Sequence, residues 1–282
     1  CGAPSRMLKT RVITVLLLLL PFLAALFYLP VQGWALLVLL ITAYAAKEWA
    51  RLAQMRKSAE LLFVIAVIAS CSVLIPVLKL FDKVPADDLS LAIYAVSLAF
   101  WLLAAPLWLT YKWRLNKSWL ALSGLLVLVT AWLALVQLRE IAALLILWLL
   151  SVVWVADTAA YFCGKKFGKR KLVPDISPGK TLEGVYGAFF AVSVYAIAII
   201  AINGNHNVSA FGKAIPAYLL LAAHWFITGL SIVGDLFESL LKRQAGVKDS
   251  GTILPGHGGV LDRIDGLIST LPAMAFFIFY GA

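Results

Sequence analysis

The chain of 282 residues is 63% hydrophobic and 13% charged, with a mean hydropathy of +0.95 and a formal net charge of +10. A water-soluble globule carries charge on about a quarter of its residues, so these figures exclude one and point to a polytopic membrane protein. The three cysteines, Cys1, Cys71 and Cys163, offer neither a disulfide framework nor metal-ligand spacing.

The opening CGAPSR, residues 1–6, reads as a tag remnant ahead of Met7. A membrane-crossing helix needs roughly 20 mainly apolar residues, and the chain supplies about nine such runs. In order they are Val12 to Leu29, Val31 to Ala50, Leu61 to Leu80, Leu89 to Thr110 and Trp119 to Leu138, then Ile141 to Phe162, Thr181 to Ile202, Ile215 to Leu241 and Gly266 to Tyr280. The expected fold is therefore all-α. With a cytoplasmic N-terminus, all but four of the 24 basic residues fall on the cytoplasmic side, the exceptions being Lys79, Lys83, Arg139 and Lys213. This bias sets the hand of insertion. It accounts for the net charge as a membrane-face charge, suited to anionic headgroups or nucleotide phosphates, with no nucleic-acid partner expected.

Acidic residues divide the chain. Through residue 140 each of them, Glu48, Glu60, Asp82, Asp87, Asp88 and Glu140, sits at a run's end or in a loop, so residues 7–140 are read as a membrane scaffold. Residues 141–282 carry Asp157, Glu183, Asp235 and Glu238 within or at the start of apolar runs, then Asp249, Asp262 and Asp265. Ionisable groups at membrane depth are costly and mark function, which makes this half the catalytic one.

The loop after Phe162 is basic and contains Ser177, Pro178, Gly179, Lys180 and Thr181. The GKT within it is not a P-loop, because Pro174 stands where the first glycine belongs and no strand precedes it. Thr181 is expected to cap the next helix, with Lys180 within reach of a phosphate.

In the eighth run Ser231, Asp235, Glu238, Ser239 and Lys242 recur at three- and four-residue steps and share one helix face. The chain then becomes QAGVKDSGTILPGHGG and re-enters a helix through VLDRIDG. Glycines allow close approach of the backbone to an anion. Asp262 and Asp265, joined by Asp235, make a hard-oxygen set of the type that holds Mg²⁺ against phosphates. Lys242, Arg243, Lys248 and Arg263 supply neutralising charge.

The stretch from Ser239 to Asp265, with Lys242, Arg243, Lys248, Asp249, Gly251, His257, Gly258, Gly259, Asp262 and Arg263, resembles the signature of phosphatidate cytidylyltransferases, and Trp154 to Gly184 resembles the region upstream of it. The resemblance implies a dimeric bacterial-type inner-membrane enzyme that converts phosphatidate and CTP into CDP-diacylglycerol and pyrophosphate. It further implies that Mg²⁺ is held by Asp235, Asp262 and Asp265, with a second cation such as K⁺. Lys242 and Arg263 are then expected in catalysis. Arg243, Lys248, Asp249, His257, Gly258, Gly259, Lys180 and Ser239 are expected at the substrates. Two readings stay open beside it: a related CTP- and Mg²⁺-dependent lipid transferase or polyprenol kinase, and an ion or solute transporter, which also places acids within the membrane.

Overall fold

A computed structural model describes residues 19–82, 88–202, 207–210, 213–253 and 258–280. The helices follow the apolar runs closely: α1 (Leu19–Tyr28), α2 (Val31–Leu52), α3 (Lys57–Val77), α4 (Asp88–Ala99), α5 (Ala105–Tyr111), α6 (Lys117–Ile141) and α7 (Ala143–Phe167). After them come α8 (Leu182–Ile202), α9 (Ala217–Ala245), α10 (Leu261–Ile264) and α11 (Leu267–Tyr280). A π-helical stretch, Phe100–Ala104, joins α4 to α5.

Among the described residues, six helices are long and apolar enough to cross a membrane: α3, the continuous α4–α5 unit, α6, α7, α8 and α9. This is fewer than the nine runs expected. The described part of α1 and the whole of α11 are shorter apolar helices, and α2 carries Lys47, Glu48 and Arg51 in its last turns.

Two antiparallel hairpins depart from a purely helical reading. β1 (Lys171–Val173) pairs with β2 (Ser177–Thr181), and β3 (Asn207–Ala210) pairs with β4 (Lys213–Pro216). Both lie in connections between helices, where short antiparallel pairing satisfies backbone groups locally. The first hairpin folds the basic loop and delivers Lys180 to the start of α8.

Local signals explain the helix ends. Asn116 caps α6 by accepting a bond from the Trp119 amide at 3.1 Å. The Thr181 hydroxyl accepts the Gly184 amide at 3.1 Å, as expected for the cap of α8. α9 stops at Gly246, whose φ of +75° is the left-handed conformation that glycine adopts without strain. There the amides of Gly246 and Val247 turn back to the carbonyls of Arg243 and Lys242, which closes a Schellman motif and points the chain into the glycine-rich loop.

α6 is the most buried of the six long helices, with α2, α11 and α7 packed on it. Polar groups between helices are paired across the interface, as low dielectric demands: Ser97 with Thr130 at 3.0 Å, and Tyr94 with Gln137 at 2.7 Å. Nearest the site, Phe237 of α9 is enclosed by Trp49, Phe100, Trp101 and Trp108, with ring centroids 5.2–6.2 Å away. Each such ring pair contributes about 0.5–1.5 kcal/mol beyond area burial. The N-terminal half therefore grips α9 between Asp235 and Glu238, and so sets the height and rotation of its polar face. Trp49 reaches this place because Gly124 of α6 leaves room: a Cβ there would fall 2.6 Å from the indole Cδ1.

Candidate active site

Four segments supply the site: α7, the β1–β2 hairpin, α9 and the 246–267 connection. Lys180, at the end of β2, forms an ion pair of 2.7 Å with Asp235 of α9. Ser239, one turn along, donates to the other Asp235 oxygen at 3.3 Å. Asp265 stands against this pair because the 265–266 backbone lies directly on α9. A Cβ on Gly234 would meet the Asp265 carbonyl oxygen, and one on Gly266 would fall 3.2 Å from the Ser231 Cβ. Asp157 of α7 is within electrostatic reach of Asp235, Asp265, Lys180 and Arg263. The result is a carboxylate cluster faced by one lysine and one arginine.

The Asp265 side chain is only partly exposed and accepts the Gly266 amide at 2.7 Å. Burial pushes its pKa up to about 8, and the neighbouring Asp235 carboxylate pushes the same way, against the Gly266 bond and Lys180.

Asp262 occupies different surroundings. One of its oxygens accepts Lys242 Nζ at 2.6 Å; the other accepts the Ser250 amide and hydroxyl at 2.9 Å each and the Gly259 amide at 2.8 Å. Burial acts to raise its pKa, but the Lys242 and amide bonds outweigh it and hold the carboxyl below the usual carboxylate range. Lys242 is itself shared, since it also pairs with the fully buried Glu238. Glu238, Lys242 and Asp262 thus form a chain of polar contacts that ties the loop to α9. Gly258, with φ +79°, supplies the turn that brings the Gly259 amide onto Asp262.

This separates residues that the sequence groups together. Among the described residues no three His, Cys, Asp or Glu side chains stand close enough to hold one metal ion. Of the expected trio Asp235, Asp262 and Asp265, Asp262 has both oxygens engaged by the loop and Lys242 in this arrangement. Asp235 and Asp265 fit a hard cation better. They are two carboxylates whose mutual repulsion a cation offsets, and Mg²⁺ commonly takes one or two carboxylates and completes its shell with phosphate oxygens and water.

The other expected residues are distributed around these two clusters. The Arg243 Nε donates to the Ile176 carbonyl at 3.1 Å and so joins α9 to the first hairpin. Arg243, Lys248, Asp249 and Arg263 are exposed at the mouth of the site. His257 lies outside the described residues. Glu183, left unassigned by the sequence, receives the Lys169 and Arg170 amides at 3.1 and 3.2 Å and braces the hairpin's entry.

Sequence reasoning placed Glu48 at a run's end, where it lies, but missed that it is fully buried. Its Oε2 accepts the Leu261 amide at 2.8 Å and the Ser250 hydroxyl at 3.2 Å, so it holds both ends of the 250–261 loop. Its Oε1 has no hydrogen-bond partner. A signal was present: Glu48 is in helical register with the buried Ala45 and Leu52, whereas Lys47 and Arg51 share the face of the exposed Leu40. The N-terminal half is therefore more than a scaffold.

Sequence comparison relates the chain to known proteins. A family model described as the cytidylyltransferase family matches residues 9–281. A phosphatidate cytidylyltransferase of Pseudomonas aeruginosa is 40% identical over 276 residues, covering 95% of this chain and 96% of the relative. Phosphatidate cytidylyltransferases of Haemophilus influenzae and Thermotoga maritima are 43% and 44% identical over about half of each chain. The chain belongs to the cytidylyltransferase family.

Proposed function

We propose that this chain is a phosphatidate cytidylyltransferase, which transfers CMP from CTP to phosphatidate and releases pyrophosphate. The single observation that carries the reading is the convergence of Lys180, Asp235 and Asp265 from three separate segments beside a glycine-bearing loop. That convergence occurs in a chain 40% identical along 95% of its length to a protein of that name.

In the reaction a phosphatidate phosphate oxygen attacks the α-phosphorus of CTP, and the bond to the departing pyrophosphate breaks. A phosphate monoester has a second pKa near about 6, so the nucleophile is already largely ionised and needs no strong base. The obstacle is the approach of two polyanions. Asp235 and Asp265 would hold Mg²⁺, which supplies charge neutralisation on the phosphates and on the leaving oxygens. Lys180 and Arg263 face the same space and contact phosphate oxygens. Arg243 and Lys248 at the mouth guide the nucleotide, and Asp249 orients Lys248 or takes a second cation such as K⁺. Asp262, Lys242 and Glu238 keep the loop docked on α9, with His257, Gly258 and Gly259 shaping its nucleotide side. Residues 141–282 thus hold the reacting groups, and residues 7–140 position them.

We read the chain as crossing the inner membrane about nine times, with α1, α2 and α11 as the further spans and the N-terminus and the site on the cytoplasmic side. The basic-residue bias supports this, and CTP is a cytosolic substrate. A homodimer is expected from the family resemblance. The test is a purified full-length preparation given phosphatidate and each nucleoside triphosphate, with and without Mg²⁺, and the lipid product identified by mass. CDP-diacylglycerol formed only with CTP or dCTP and Mg²⁺ is the expected result. A phosphorylated lipid and a nucleoside diphosphate, or no nucleotide consumption, would overturn the assignment.

A further inference from the structure

A groove of about 710 Å³ runs between α2 and α3, on the side of α2 away from the carboxylate clusters. On α2 it is lined at helical spacing by Leu40, Tyr44, Lys47 and Arg51, and on α3 by Lys57, Glu60, Leu61 and Val64. The two kinds of residue are segregated along its length. Leu40 and Leu61, 61% and 60% exposed, and Val64 form an apolar floor toward the middle of the helices. Lys47, Arg51 and Lys57 form a cationic rim at the α2–α3 connection.

The rim is only weakly neutralised. Against its three cations stands Glu60, whose ion pair with the exposed Arg51 is long at 3.8 Å. Lys47 lies 6.0 Å over the Tyr44 ring, a contact that directs the ammonium without consuming its charge. α3 is a candidate membrane span, so the floor faces acyl chains while the rim lies at headgroup depth. An apolar trough ending in uncompensated positive charge matches an amphiphile with a negative head and two hydrocarbon tails. It does not match a soluble anion, which would leave the floor uncovered.

The depth of the rim is fixed by Glu48. That residue shares a helical turn with Lys47 but points inward to Ser250 and Leu261. The rim and the active-site loop therefore lie at one level, on opposite faces of one helix. We infer that the α2–α3 groove is a binding site for an anionic diacyl phospholipid of the leaflet in which the active site works, separate from the lipid undergoing reaction. A lipid seated there would fix α2 between the bilayer and the loop that Glu48 holds.

The test uses the full-length protein in zwitterionic detergent, with dioleoylphosphatidylglycerol as probe and dioleoylphosphatidylcholine as control, and bound lipid counted by native mass spectrometry. Each basic side chain at a membrane surface contributes about five-fold to the retention of an anionic lipid. The Lys47→Gln/Arg51→Gln double variant should therefore retain phosphatidylglycerol roughly twenty-five-fold more weakly. Glu60→Gln, which releases Arg51 and leaves the topology-setting cations in place, should retain it about five-fold more tightly. CTP should displace none of it, and both variants should keep nucleotidyl transfer in micelles whose only anionic lipid is saturating phosphatidate. Equal retention by the wild type and both variants, or equal retention of phosphatidylcholine, would overturn the inference. So would Leu61→Cys cross-linking to a second copy in place of lipid protection. None of these outcomes touches the cytidylyltransferase reading, which rests on the other face of α2.

Discussion

Glu48→Ala probes the coupling of the two halves most directly. The side chain is fully buried and accepts two hydrogen bonds, from the Leu261 amide at 2.8 Å and the Ser250 hydroxyl at 3.2 Å. Bonds to a charged partner contribute about 1.5–3 kcal/mol each. The losses are unequal, because the Ser250 hydroxyl keeps Asp262 at 2.9 Å, whereas the Leu261 amide keeps nothing else and lies in a buried place. Its orphaned N–H dominates, and the docked loop loses about 2–3 kcal/mol net. At about 1.4 kcal/mol per factor of ten, kcat/KM for CTP should fall by about thirty- to a hundred-and-forty-fold. The α-helical signal and the yield of purified protein should hold, since Trp49, Phe237 and their neighbours are untouched. Glu48→Gln keeps an acceptor toward Leu261 and should recover most of the loss. The assay is pyrophosphate release in mixed micelles over a CTP series. Activity of Glu48→Ala within two-fold of wild type would refute the claim that α2 holds the loop, and so would equal losses in the two variants.

The two aspartates of the 262–265 turn should behave differently. Asp265→Asn is expected to abolish turnover or to move its Mg²⁺ requirement upward, while Asp262→Asn should lower activity by a factor that added Mg²⁺ does not recover. An Mg²⁺ titration of both variants checks this, and a shared rescue would return Asp262 to the metal. Lys180→Met removes the 2.7 Å partner of Asp235 and should cost ten- to a hundred-fold in kcat/KM, as the loss of one charge-assisted contact implies. Stability against acid should track Asp262. Its pKa is held below the usual range, so its bonds to Lys242, Ser250 and Gly259 are complete above the ordinary carboxylate pKa and fail as pH falls through the lowered one. Thermal unfolding of Asp262→Asn should therefore show a weaker loss of stability on acidification than wild type, and parallel curves would reject the assignment.

Much of the protein could be read along the chain because membrane helices are local objects. A run of apolar residues satisfies its own backbone bonds wherever it lies, so α2 to α9 and α11 fall close to the runs that predict them. The cap at Thr181, the stop at Gly246 and the polar stripe on α9 are likewise near-neighbour effects at fixed spacing. Composition and the Ser239 to Asp265 stretch also sufficed to indicate metal and phosphate chemistry, and the resemblance of that stretch implied a nucleotide. The partnership of side chains was not readable in the same way. Asp262 and Asp265 sit three residues apart and look equivalent, yet Asp262 meets Lys242, Ser250 and Gly259 while Asp265 meets Asp235. Which way each carboxylate turns depends on where α9 and the 250–261 loop lie in space, and that in turn depends on Trp49, Gly124 and Phe237, residues far apart in sequence. Glu48 shows the same limit most plainly: a single acid between Lys47 and Trp49 carries no mark of Leu261, and only packing α2 against the loop decides that this carboxylate is an anchor. Apolar periodicity dictates helices, because their bonds close within a few residues. The site is decided by tertiary packing, because electrostatic and hydrogen-bond partners are chosen by distance in space.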